Sequence, residues 1–359
     1  MTTRLSAVIF ILFSLPAFVL AAGIDSSLLE NYKITGYSRP CCTFARSNLQ
    51  EKLGVAGIID KDKLGEHEFA RTDKKDKVGI LYTCHGGFVD VSHLRDNADW
   101  SAHIFLKLPE WLNSGSDILA RREGGFSKRS VYFPKMDIKD INSLTEDDLE
   151  KLAVSIGFSM ALMHEIPTSF KIPVSVPSAF FITERSSAFS LEDAYSNLMG
   201  NYLGVKAARS SLPYNVAMTE ILNYTLEELG AQSFNQTAEA YELVRNKWWM
   251  SGMKNSFKKL MKRDFTFAGA VTPFLVKNAP FCEESQSQNL LIPEKLSNGK
   301  SVHDYYEVRG VLKKNLKHAL NKYDAKMDGT ITQKDFPKII HAIRDGFKKK
   351  LGANIEVRD

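Results

Sequence analysis

Apolar residues recur every three to four positions through most of this chain, a period that permits little other than packed amphipathic helices. From Asp90 onward Val91, Leu94, Ala98, Phe105 and Leu108 form one such stripe, a helix running to about Asn113. Ser143-Leu-Thr-Glu-Asp opens a second, with the stripe Leu149, Leu152, Ala153, Ile156, Met160 and Met163, and Pro167 is expected to end it. Ser190 followed by Asp193 has the spacing of a capping box for a third helix through Val205. The same period covers 216–229, 237–262, 303–322 and 333–350. Against these stands one clear strand, Val78 to Cys84 (VGILYTC), broken by Gly86-Gly87, with a weaker strand signal in the Pro-rich 172–183 stretch. The fold class expected is mainly α: a helical globular domain with a minor β element and a C-terminal EF-hand-like helix–loop–helix. The segment 278–302, with Pro280, Pro293 and a Ser/Gln/Asn-rich middle, reads as a linker. It divides a domain at 22–302 from an appendage at 303–359.

The first residues bear on the compartment. Arg4 precedes an uninterrupted apolar stretch from Leu5 to Leu20, with Val19 and Ala21 placed as a cleavage site requires. This is the pattern of a secretory signal peptide over residues 1–21, too short and wrongly flanked for a membrane span. A released protein, exported through the periplasm, is therefore expected. In an oxidising compartment the even set Cys41, Cys42, Cys84 and Cys282 favours two disulfides. A bond between the neighbours Cys41 and Cys42 is strained, so Cys84 and Cys282 are each expected to pair with one of them, in either order. Disorder is excluded by a composition 44% hydrophobic and 25% charged. The net charge of +5 is too small a surplus to suggest nucleic acid. A monomer is expected.

Three polar clusters border the apolar stripes. Asp90, His93 and Asn97 share a helical face beside the first stripe. His164 and Glu165 emerge where the buried face of the second helix reaches its end. This is not the zincin HExxH motif, because Thr168 stands at the second histidine position. Glu192, Asp193 and Asn197 open the third helix; Asp193 has a capping role to explain it, whereas Glu192 does not. Facing helices that each contribute a His, Asp or Glu are a common way to build a carboxylate–histidine metal site. The expected ligands are His93, His164, Glu192 and Asp90, holding a divalent ion, zinc or calcium/magnesium. Glu165 would act as general base with Asp96 as a further catalytic carboxylate, in a hydrolase of unknown substrate.

The blocks CCTF, LGEHEF, YTCHGGFVDVSHLRDNADW, MALMHEIPTSF and SAFSLEDAYSNLMG resemble the hallmark blocks of an uncharacterised family of exported bacterial proteins, a domain of unknown function that includes NttC-like type II secretion substrates. The resemblance covers roughly residues 30–290. It implies an exported Gram-negative protein with a cation-dependent, hydrolase-like site. Its recurring polar positions fall on His67, Asp90, His93, Asp96, His164, Glu165, Glu192, Asp193 and Asn197. His85 stands where that family's CxGGF block has arginine, which weakens any role for this position.

The tail differs in character. Asp324, Asp328, Gly329 and Ile331 match positions 1, 5, 6 and 8 of an EF-hand loop, Thr330 supplies position 7, and Asp335 replaces the usual Glu at position 12. Lys326 occupies position 3, where a carboxylate should bind the ion. Residues 306–359 carry 13 Lys/Arg against 7 Asp/Glu, so the whole positive surplus lies there. An alternative to the hydrolase is therefore a secreted, non-enzymatic effector that engages a host membrane or host protein through its basic C-terminal region.

Overall fold

The computed structural model describes residues 39, 57–71, 75–170, 188–248, 262–283, 286–351 and 356–358. The signal peptide at 1–21, Cys41, Cys42 and the 172–183 stretch lie outside them. The helices are α1 Val91–Trp111, α2 Ile138–Asn142, α3 Glu146–Ser169, α4 Asp193–Ala208, α5 Tyr214–Glu228, α6 Phe234–Leu243, α7 Lys314–Lys322 and α8 Phe336–Leu351. The strands are β1 Ile80–Thr83, β2 Gly87–Asp90, β3 Ser116–Glu123, β4 Phe126–Phe133, β5 Lys262–Asp264, β6 Ala270–Val271, β7 Leu290–Leu291, β8 Glu307–Leu312, β9 Thr330–Thr332 and β10 Glu356–Arg358. No helix among the described residues is long and apolar enough to cross a membrane.

The VGILYTC strand forms as expected and turns back through Gly86-Gly87 into β2, with Ile80 opposite Asp90 and Thr83 opposite Gly87. Gly87 has φ 65°, and a Cβ there would fall 3.1 Å from the Phe274 carbonyl carbon, so the turn admits only glycine. The hairpin delivers Asp90 to the start of α1, where its carboxylate accepts the Ser92 and His93 N–H groups.

Helices α1, α3 and α4 pack into the centre of the core. Gly200 and Gly204 of α4 face Leu94 and Ala98 of α1, Asn97 Nδ2 donates to Asn197 Oδ1 at 2.7 Å, and the Ser101 hydroxyl donates to Asn201. These rungs advance together along both helices, so α1 and α4 run parallel at backbone contact. Helix α3 runs the other way, with Gly157 against Asn201 and Glu165 reaching the segment before α4. Its N-terminus carries a complete capping box of Thr145 and Asp148. Pro167 does not end it: α3 continues to Ser169, because a proline in the last turn removes only one interior hydrogen bond. The Ser190–Asp193 box is half formed, since Asp193 accepts the Ser190 N–H while the Ser190 hydroxyl turns to Glu192.

The architecture is mixed α/β rather than mainly α. An antiparallel sheet of order β3-β4-β8-β9 packs on the helices. Strands SDILARRE and FSKRSVYF carry arginines at inward positions, so no apolar alternation announces them. Within 303–322, expected to be one helix, Glu307–Leu312 is strand β8 and only Lys314–Lys322 is helical. Gly310 there lets the Phe126 ring and Met163 sulfur approach; a Cβ would lie 2.6 Å from the ring. The helix expected over 237–262 stops at Leu243, and Asn246 has φ 59°.

Residues 303–359 are not an appendage. β8 lies between β4 and β9, and Leu316, Leu320, Ile331, Phe336, Ile339 and Ile343 join the same buried cluster as α1 and α3. The EF-hand-like segment does have helices on both sides. However, β9, at loop positions 7–9, pairs with β8, so Thr330 lies opposite Val311. The Asp335 carboxylate accepts the Thr332 N–H at 2.8 Å as a cap, and Asp328, 94% exposed, pairs with Lys317 at 2.6 Å. Asp324 has φ 63°, and Lys338 Nζ donates to the Lys326 carbonyl at 2.9 Å.

Cys84 and Cys282 are bonded to each other rather than to Cys41 and Cys42, with their Cα atoms 5.4 Å apart. The Gly86-Gly87 turn brings Cys84 beneath the 276–282 loop, where the Val276 N–H also donates to the Tyr82 hydroxyl at 2.8 Å. The link closes a sequence separation of 198 residues. The double variant Cys84→Ala/Cys282→Ala should lose about 2–4 kcal/mol in urea unfolding. An unchanged midpoint would show that packing alone holds this loop.

Candidate functional site

Three helix ends meet beside the β1–β2 hairpin: the N-termini of α1 and α4 and the C-terminal part of α3. They gather four carboxyl groups, Asp90, Glu165, Glu192 and Asp193, all buried. His93 Nδ1 lies 3.5 Å from Asp193 Oδ1, with its side chain 13% exposed. Each acid has local anchors. The Asp90 N–H donates to Ser196 Oγ at 2.9 Å, while its carboxylate caps α1. Glu165 Oε2 accepts the Phe189 N–H at 3.0 Å. Asp193 Oδ2 accepts the Ser190 N–H at 2.8 Å, and Glu192 Oε1 accepts the Ser190 hydroxyl at 2.6 Å. Glu192 Oε2 is buried with no hydrogen-bond partner among the described residues.

Burial raises the pKa of Glu192, and the neighbouring Asp193 and Asp90 raise it further. Asp193 is likewise pushed well above the carboxylate range, by burial first and then by Glu165. The two acids therefore hold their protons more tightly than ordinary carboxyls, because negative charges brought together out of water repel one another. Such a set can exchange protons with a ligand, or exchange its protons for a cation. Asp90, His93, Glu192 and Asp193 are the residues with the chemistry to hold one, although no group of three or more His, Cys, Asp or Glu is set in metal-holding geometry among the described residues.

The other expected site residues go elsewhere. His164 leaves the cluster that its neighbour Glu165 enters: its Nδ1 donates to Glu123 Oε1 of β3 at 2.6 Å. Asp96 accepts the backbone N–H of Arg39 at 3.1 Å and its Nη1 at 2.7 Å, in a buried network with Asp76 and Asp99. His67 belongs to the same network. Its Nε2 donates to Asp99 at 2.8 Å and its Nδ1 accepts from Arg95, while burial keeps the ring neutral by lowering its pKa. Tyr214 closes this group by donating to Asp99 at 3.1 Å. These are stabilising contacts between the 64–76 segment and α1. Asn197 pairs with Asn97 and sets the α1–α4 register.

Asp193, expected as a cap, accepts the Ser190 N–H and also joins the acidic cluster. Its adjacency to Glu192 was the available signal. Glu123, Arg121 and Arg129 went unseen because their strands did.

No curated protein matches the chain, and no solved structure matches it. A family model does match, over residues 31–277, which contain β1–β6, α1–α6 and every member of the acidic cluster. The chain belongs to the family described as "Protein of unknown function (DUF4056)".

Proposed function

We propose that the acidic cluster is a divalent-cation centre and that this protein is a metal-dependent hydrolase acting outside the cytoplasm. The observation that carries the reading is Glu192 Oε2, a buried carboxyl oxygen with no hydrogen-bond partner among the described residues, set beside three further acids and one imidazole. A carboxylate so placed gains most from a cation, which replaces the protons that otherwise relieve the repulsion. Asp90, His93, Glu192 and Asp193 are the ligands in this reading, a mixed oxygen and nitrogen set suited to zinc or to magnesium or calcium. When bound, the ion supplies Lewis acidity and a water of lowered pKa. Glu165, oriented by the Phe189 N–H, is the proton acceptor. The disulfide Cys84–Cys282 and the apolar leader at residues 5–20 support export, the setting of NttC-like secretion substrates.

Elemental analysis and calorimetry of the mature protein test the cation. Zinc, manganese, magnesium or calcium should bind and raise the melting temperature, and Glu192→Gln should weaken that binding at least about tenfold, the loss of one ligand. A wild-type protein that neither carries nor binds any of these ions at about 1 mM, a free energy of only ~4 kcal/mol, sinks the reading.

A further inference from the structure

The hairpin of β3 and β4 builds a second polar cluster on the other side of α3. Glu123, fully buried, accepts Arg121 Nη2 at 2.6 Å, Arg129 Nη2 at 2.7 Å and His164 Nδ1 at 2.6 Å. Burial works against its ionisation, but the two guanidiniums and His164 outweigh it and hold Glu123 far below the usual carboxylate range. Arg129 Nη1 continues to the Met160 carbonyl at 3.2 Å, which ties β4 to α3. Side-chain exposure rises outward, from 1% at Arg129 and 4% at Glu123 to 12% at Arg121 and 15% at His164, so the last two form the rim.

Arg121 is only partly used. Its guanidinium carbon lies over the Trp100 ring, 4.7 Å from the centroid, within cation–π distance. Nη2 holds Glu123, and among the described residues Nε is buried with no acceptor and Nη1 makes no bond. The donors left over belong to Arg121, whose guanidinium is held by Glu123 and Trp100 at the rim of the cluster. Fixed N–H donors with net positive charge favour an oxyanion.

We propose that Arg121 and His164, backed by Arg129 and stacked on Trp100, form a binding site for an oxyanionic group, phosphoryl or carboxylate. As a ligand site it stands without the cation centre. As a substrate subsite it rests on the hydrolase reading, with one helix, α3, carrying His164 in this cluster and Glu165 in the acidic one. The substrate class is then an anionic ester or amide whose charged group docks on Arg121.

Titration of the metal-stripped full chain, kept in EDTA, with inorganic phosphate and in parallel with acetate, at constant ionic strength, tests this. Trp100 reports through its fluorescence and His164 through its imidazole NMR signals. A saturable change in both is expected, with Kd on the order of 1 mM. Arg121→Met should weaken it at least tenfold, Arg121→Lys less, and Trp100→Phe should remove the fluorescence change while keeping the NMR shift. Tighter binding of phosphate assigns a phosphoryl group, and tighter binding of acetate a carboxylate. If neither anion saturates, or if folded Arg121→Met titrates like wild type, the cluster only joins sheet to helix and the proposal is overturned. Should Arg121→Met not fold, absence of the wild-type His164 shift overturns it equally. Because EDTA removes cations, phosphate binding without cation binding rejects the hydrolase reading and leaves this site standing.

Discussion

Gly204→Val should abolish stable folding, with a loss of more than about 5 kcal/mol, at the top of the range for single substitutions. A Cβ on Gly204 would fall within 2.5 Å of the carbonyl carbon and Cα of Ala98, and closer still to its oxygen. Helix α1 cannot retreat, because Asn97–Asn197 above and Ser101–Asn201 below hold the two backbones together. Both clashing groups are main chain, so no rotamer change relieves them. Gly200→Ala meets Leu94 in the same way, 2.9 Å from its carbonyl carbon, and should cost about 3 kcal/mol, in the range of overpacked cores. Gly299→Ala is the control: its φ of +80° carries some strain, but nothing lies within 4 Å, so about 1 kcal/mol is expected. Urea unfolding followed by circular dichroism checks all three. Equal midpoints for Gly204→Val and Gly299→Ala would refute the close approach of α1 and α4. The same approach matters for the site, since the first turns of these two helices carry Asp90, His93 and Asp193.

Arg39→Met should destabilise the protein by about 3–5 kcal/mol, the cost of removing one partner from a buried charge network. The guanidinium serves Asp76, Asp96 and Asp99 at 2.7, 2.7 and 2.9 Å, and methionine fills its stem volume but leaves three buried carboxylates facing each other. A pH dependence accompanies this. Burial disfavours the Asp99 charge, but Arg39 and His67 more than compensate and hold its pKa at about 2, against an ordinary 3.8. The folded state therefore binds this proton less readily than the unfolded chain. The stabilisation, about 2 kcal/mol from this shift, is complete above pH 4 and fades as pH falls toward 2. Arg39→Met should lose that contribution, so its stability should differ most from wild type near neutrality and least near pH 2. A constant difference across that range would show that packing, not charge, accounts for the effect.

Much of the candidate site was legible because its residues sit where local patterns end. Asp90, Glu165 and Glu192 each border an apolar stripe at a helix terminus, and His93 lies one turn into α1. His164 shows the limit of such reasoning. One residue along a helix turns a side chain by about 100°, enough to send Glu165 to the acids and His164 to the sheet. The sheet itself was hidden because Arg121 and Arg129 occupy inward positions that a periodicity argument reads as solvated. Their burial follows from Glu123, which lies two residues after one and six before the other, at the end of β3.

The sequence by itself determined the central helices and the polar groups that border their buried faces. These depend on a period of 3.6 residues and on contacts within a turn or two. Only the tertiary structure decided which groups became partners. Cys84 found Cys282 at a separation of 198 residues, His164 found Glu123 at 41, and β8 entered the sheet beside β4. The physical reason is that closing long loops costs entropy almost independently of their length, so local sequence carries little information on which distant pair repays it.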